Sequence, residues 1–288
     1  MMKITQDQIN NCNTDIFGDW INDSSLSGKF LAARPFEHII IDNFLQREYA
    51  EQVYNSFPTD IDNWWKYCNP LEVKYANDNL ESMPNNIQNI FYALSSTKII
   101  QKMCELSNIT DLEYDEYLHG AGLHIMPRYG RLNMHLDYEK HPISNKERRL
   151  NIILYLSKDW NSEWNGDTQL WNSDMTECVT KSFISFNRAI IFKTNDVSWH
   201  GLPEIITCPD NVFRKSLAYY YVSPLTSKSS TEKVGANGDG YRTKATYVKR
   251  PQDPFDPRME KLFRIRSQRR ITEEDMNEIW PEWNIKQK

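Results

Sequence analysis

The spacing of hydrophobic positions changes partway along the chain. In the first third, apolar residues recur at helical spacing. Gln46 to Phe57, Ile87 to Leu94 and Lys98 to Leu106 each predict a helix with one face for packing on a sheet. His38 to Asp42 reads as a strand just ahead of them. From about residue 112 to 223 the spacing shortens and strands dominate. Leu150 to Leu156 is one strand, entered through Arg148 and Arg149. Lys181 to Lys193 gives two short apolar runs with Asn187-Arg188 at the turn. Arg214 to Val222 is rich in aromatic and β-branched residues and is ended by Ser223-Pro224. Its period of two puts Arg214, Ser216, Ala218 and Tyr220 on one face.

The remaining segments carry weaker patterns. Residues 1–34 are polar and rich in Asn and Asp, an extension expected to be loosely ordered or wrapped on the surface. The insertion 139–147 is expected to form a mobile lid. Residues 226–257, with Gly235-Ala-Asn-Gly-Asp-Gly240 and several prolines, read as a linker or flap. Two short helices follow, about 258–270 and 273–280, the second behind the capping pattern Thr272-x-x-Asp275. The whole reads as one domain over 35–224, its strand-rich core at about 112–224, with extensions at 1–34 and 225–288.

His135-x-Asp137, followed by His200, is the candidate chemistry. Two histidines and a carboxylate hold a non-haem Fe(II) on one face and leave the opposite face open. Residues two apart on a strand point to the same side, so His135 and Asp137 can share a metal while Leu136 faces away. His200 must then come from a second strand alongside, as a jelly-roll of two packed sheets supplies. The triplet alone is weak, since roughly 0.4 such triplets arise by chance at this composition. Arg214 and Ser216 add weight: a guanidinium fork and a hydroxyl two residues apart make a good receptor for a carboxylate.

Four pieces in order give the chain a family resemblance: GLHIMPRYGRLNMHLDYEKHP, RRLNIILYLSKDWNSEWNGDTQLW, FNRAIIFKTNDVSWHGLPE and RKSLAYYYVSP. Over about Gly120 to Pro224 the chain resembles the Fe(II)- and 2-oxoglutarate-dependent dioxygenases of the prolyl-hydroxylase-like branch. ARPFEHIIIDNFLQREYAEQV is similar to the strand-then-helix lead-in of many members. The resemblance implies a mainly β fold with flanking helices, a double-stranded β-helix (jelly-roll) core supported by N-terminal helices. It implies His135, Asp137 and His200 as iron ligands and catalytic centre. Arg214, Ser216 and the Tyr155 hydroxyl would bind the distal carboxylate of 2-oxoglutarate. Leu132 stands where collagen-type relatives carry a cosubstrate-binding tyrosine. Arg148 or Arg149 falls where relatives place a substrate-contacting arginine, His124 is expected to line the pocket, and Trp199 to wall it. Trp160, Trp164 and Trp171 are expected in core and rim.

The implied cofactors are Fe(II), 2-oxoglutarate and O2, with ascorbate as a candidate reductant. The implied reaction is hydroxylation of an unactivated C–H, a prolyl or other residue of a protein or peptide, with release of succinate and CO2. A small metabolite as substrate, and a silent 2-oxoglutarate-binding sensor, are the alternatives. Composition narrows the partners. Net charge is −5, divided as +4 over 225–288 and −9 over 1–224. An acidic body does not suit a nucleic-acid partner, and the basic run Lys261 to Arg270 reads as a solvated helix face. Five scattered cysteines read as free thiols of a reducing cytoplasm. No apolar run reaches membrane-spanning length. Oligomeric state is not encoded in any pattern found.

Overall fold

The computed structural model describes residues 3–226 and 240–286. Its first part is mostly helical: α1 (Gln6–Asn10), α2 (Leu26–Ala32), strand β1 (His38–Ile41) and α3 (Arg47–Ser56). A hairpin of β2 (Trp65–Asn69) and β3 (Glu72–Asn77) precedes α4 (Asn85–Leu94) and α5 (Thr97–Ser107). The short β4 (Glu113–Tyr114) leads into β5 (Gly122–Met126), β6 (Arg131–Leu136), β7 (Glu147–Tyr155), β8 (Thr168–Trp171) and β9 (Cys178–Ser182). Then come β10 (Arg188–Lys193), β11 (His200–Leu202) and β12 (Arg214–Ser223). The C-terminal part holds β13 (Thr246–Tyr247), α6 (Pro257–Arg266) and α7 (Glu273–Ile279).

The strands form two antiparallel layers. One runs β1-β10-β7-β12-β5, the other β6-β11-β8-β9, and β3 pairs with both β5 and β6 to join them. This is the expected jelly-roll. Strand parity decides what each layer faces. On β7 and β12, Leu150, Ile152, Leu154, Leu217, Tyr219 and Tyr221 bury against Ile87, Ile90, Phe91, Leu94, Ile99 and Met103 of α4 and α5. Each such buried side chain contributes about 1.5–3 kcal/mol. The alternate positions of the same two strands are thereby turned into the barrel, and it is these that build the site.

The structure departs from the sequence reading at four places. Residues 3–34 are not loose: Ile4, Ile9, Ile16, Phe17, Trp20, Leu26 and Phe30 all bury in the main core, too few and too scattered to show as a period. The β2–β3 hairpin has no counterpart in the sequence reading, because its strand Trp65–Asn69 keeps most side chains exposed. Loop 139–147 is no free lid. The Glu139 and Lys140 amides both donate to the Arg242 carbonyl, and His141 is fully buried against Asp115. The flap reading of 226–257 covers residues 227–239, which lie outside the described residues. Its C-terminal portion is ordered sheet: β13 pairs with β6, Tyr247 opposite His135. Among the described residues no helix is long and apolar enough to cross a membrane.

Candidate active site

β6 and β11 pair with His135 directly opposite His200, and Asp137 follows β6 immediately. The side chains of all three are buried, and one donor atom from each lies within 4.8 Å of the others. His135 Nε2 is 3.7 Å from Asp137 Oδ1, and His200 Nε2 is 3.7 Å from Asp137 Oδ2. The opposite ring nitrogens are committed: His135 Nδ1 donates to the Asn133 carbonyl at 2.9 Å and His200 Nδ1 to the Ser198 carbonyl at 2.8 Å. A carbonyl only accepts, so each Nδ1 carries a proton and Nε2 is the ring nitrogen left to meet a metal. Burial, then neighbouring His200, pushes His135 down to about 3, so it is neutral at physiological pH. Asp137 stays ionised: burial alone would raise it, but His200, His135, Arg148 and the Asn151 amide (3.1 Å) outweigh burial. A tight set of two imidazole nitrogens and one carboxylate fits a divalent iron.

These donors open onto a cavity of about 250 Å³. The inward face of β12 lines it with all four expected residues, Arg214, Ser216, Ala218 and Tyr220. Arg214 is buried and its hydrogen-bond partners are neutral. Nε donates to the Gly166 carbonyl (2.9 Å), Nη1 to Ser216 Oγ (3.2 Å) and Nη2 to Thr168 Oγ1 (3.4 Å). Gly166 adopts φ +91°, a conformation few other residues reach, with Arg214 Cδ 3.4 Å from where a Cβ would stand. A buried cation bonded to neutral partners and facing a cavity is poised for an anion.

The other expected residues separate by strand parity. Arg148 turns inward and lines the cavity, its guanidinium 3.4 Å from the ring centres of both Tyr138 and Tyr220. Arg149 turns outward to Ser223 Oγ at 3.0 Å. His124 and Leu132 line the cavity, and burial holds His124 neutral, well below its ordinary value. Tyr155 is placed differently from expectation. Its hydroxyl donates to Thr168 Oγ1 (2.8 Å) and lies 3.2 Å from the Ser182 carbonyl, so Thr168, not Tyr155, faces the cavity. Trp199 does not wall the pocket: with His200 turned inward, its neighbour packs outward with Met134, Leu136, Trp171 and Met175.

Several site residues escaped the sequence reading. Tyr247 stacks on the His135 ring at 5.1 Å and 18°. Arg242, fully buried, donates from Nε to the Asp137 carbonyl (3.3 Å), from Nη1 to Asp196 (2.7 Å) and from Nη2 to the Asn195 carbonyl (3.1 Å). It thus ties the Asp137 loop to the loop before His200. The basic run is a solvated face at Lys261, Arg264, Arg269 and Arg270, but not at Arg266. Arg266 is mostly buried on Glu72 at 2.7 Å, and Arg269 and Arg270 line the cavity mouth with it. The one available signal was the mixed composition of 240–270, aromatic and cationic together.

Residues 121–222 match the family model described as 2OG-Fe(II) oxygenase superfamily. Similar solved structures include a prolyl hydroxylase from Trichoplax adhaerens in complex with a hypoxia inducible factor peptide fragment. It is 15% identical, with 72% of this chain and 94% of that chain covered and a TM-score of 0.48. A Pseudomonas putida prolyl-4-hydroxylase is 12% identical, covering 69% of this chain and 99% of that one at a TM-score of 0.48. HygX from Streptomyces hygroscopicus, solved with nickel, 2-oxoglutarate and hygromycin B, is 12% identical, covering 71% and 91% at 0.42. No curated protein matches the chain in sequence. Barrel, donor set and buried cation together make a site that fits a metal ion with an anion beside it. The matched segment holds the donor set and the buried cation and is similar to the 2OG-Fe(II) oxygenase superfamily, whose members use Fe(II), 2-oxoglutarate and O2.

Proposed function

We propose that this protein is an oxygenase that hydroxylates an unactivated C–H of its substrate, with release of succinate and CO2. The observation that carries the reading is Arg214, a buried cation with neutral partners, in the same cavity as the His135, Asp137 and His200 donors. In this reading the three donors hold Fe(II), which with O2 and 2-oxoglutarate supplies the oxidising chemistry. Arg214, with Ser216 and Thr168, takes the distal carboxylate of 2-oxoglutarate, and Tyr155 fixes the Thr168 hydroxyl. Asn151 holds the Asp137 carboxylate, while the Asn133 and Ser198 carbonyls orient the imidazoles. Arg148, His124 and Tyr220 shape the substrate side.

The resemblance supports a prolyl or other residue of a peptide as substrate. A small metabolite is the second reading, favoured by one observation: the β2–β3 hairpin and the C-terminal arm line the cavity from two sides and leave a confined space. Five free cysteines support a reducing, cytoplasmic setting.

Anaerobic titration of the apoprotein with Fe(II) and then 2-oxoglutarate tests the centre. Chelation of the keto acid gives a visible charge-transfer band, which His200→Ala should abolish. Iron bound at the three-donor site with no band sinks the cosubstrate assignment. Iron retained at wild-type affinity in His200→Ala sinks the ligand assignment. Succinate formation on turnover separates an enzyme from a silent sensor.

A further inference from the structure

The mouth of the cavity carries a charge surplus that the iron centre does not use. Besides Arg214, six cations line the cavity: Lys74 of β3, Arg148, Lys244 ahead of β13, Arg266 at the end of α6, and Arg269 and Arg270 just beyond it. Among the described residues, besides Asp137 of the donor set beside Arg148, three carboxylates answer them. Asp78 is on the lining and accepts from Trp65 Nε1 at 3.1 Å; Glu72 is bonded to Arg266; Asp275 is bonded to Arg269. The chain as a whole is at −5. Positive charge has therefore been concentrated in one concave place on an acidic protein, where low-dielectric walls focus the field.

The way these cations are held also points to a ligand. Arg270 has its guanidinium 4.2 Å from the Trp65 ring centre and 4.7 Å from that of Tyr67, so aromatic faces hold it and leave its charge standing. Trp65 is itself 51% exposed. Lys74 lies beside Glu72 at 3.7 Å, yet burial, with Arg266 close by, still lowers its affinity for a proton. An anion in the mouth would relieve that crowding. None of this wall comes from the family-matched segment except Arg148, since Lys74 precedes it and the other four follow it.

We infer that the mouth wall of β3 and the C-terminal arm reads a negatively charged group, a phosphate or a carboxylate, on the substrate. The inference rests on the oxygenase reading above. The anionic group sits toward Lys74, Lys244 and Arg270, and the carbon to be oxidised lies deeper, toward His135 and Asp137. The anion has two sources, a charged metabolite or an acidic residue of a peptide.

The test uses the full chain loaded anaerobically with Fe(II) and 2-oxoglutarate, and compares charge-matched probes by calorimetry and by perturbation of the charge-transfer band. Glucose 6-phosphate is set against glucose for the metabolite source. Acetyl-Glu-Pro-Glu-amide is set against acetyl-Gln-Pro-Gln-amide for the peptide source. The charged member of at least one pair should bind about tenfold or more tighter, the equivalent of one charge-assisted hydrogen bond. That preference should shrink with added salt and collapse in the double variant Arg270→Gln with Lys244→Gln. Lys261→Gln, a charge change on the exposed side of α6, should leave it in place. The inference is overturned if neither pair shows a charge preference, or if the preference survives the double variant. A wild-type band that forms normally in those cases keeps the oxygenase reading intact. Failure of the band itself removes the reading first.

Discussion

The two ends of the cavity are built by different means. At the inner end, donors and cation come from β6, β11 and β12, central strands whose register fixes every side chain. His135 faces His200 across one pair, and Arg214 to Tyr220 share one parity of a ten-residue strand. At the outer end, the wall is assembled from a hairpin strand far upstream and an arm far downstream, held by Tyr247 on His135, Arg266 on Glu72 and Arg270 on Trp65. The inner end is a property of one sheet fold. The outer end is a property of tertiary docking, and it can change without disturbing the barrel. The site proposed for the reaction is thus built separately from the wall proposed to read the substrate.

Arg242 joins the two ends, and cutting it gives the largest effect expected outside the donors themselves. Arg242→Ala removes the buried guanidinium from the Asp137 carbonyl, Asp196 and the Asn195 carbonyl, and should cost about 3–5 kcal/mol of stability, read as a fall in the chemical-denaturation midpoint. Iron affinity, measured well below the unfolding transition, should weaken as well, because the Asp137 and His200 loops are no longer tied. Arg242→Lys should recover little of either, since one ammonium cannot reach three acceptors in two loops. Wild-type iron affinity in Arg242→Ala would make the link purely structural.

Arg214→Ala acts on the inner end alone. It removes the cation proposed to face a buried carboxylate and should weaken 2-oxoglutarate binding by about 2–5 kcal/mol, thirtyfold or more. Iron affinity should change little, because no Arg214 bond touches the donor triad. A variant that titrates with 2-oxoglutarate as wild type does would move the anchor to another cation.

The smallest effect is one of pH. Burial first, then Arg148 and His141, lowers His119 to about 4 from an ordinary 6.5. The unfolded chain therefore takes up this proton at a higher pH than the folded one. Its stabilising contribution is full above pH 6.5, declines as pH falls through that value toward about 4, and levels off below. Melting temperatures from pH 7 to 5 should slope downward, and His119→Asn should flatten the slope in part, since His38 and His124 are shifted in the same direction. An unchanged slope would show that His119 titrates normally.

The sequence alone determined the elements whose period is regular and whose chemistry is local. The three supporting helices, the pairing of His135 with Asp137 on one side and the inward row Arg214-Ser216-Ala218-Tyr220 follow from spacing, because helical period and strand parity are set by the backbone. The resemblance pointed to Arg148 or Arg149, and only sheet parity in the folded barrel turned Arg148 to the cavity and Arg149 away from it. Tertiary structure decided everything that depended on distant segments meeting. The apolar residues of 3–34 show no period because each fills a separate gap in the core. Tyr247, Arg242 and Arg266 carry no local motif, because what gives them a role is the partner each reaches: His135, the Asp137 carbonyl and Glu72. Those contacts span more than a hundred residues of chain, and only packing brings their ends together.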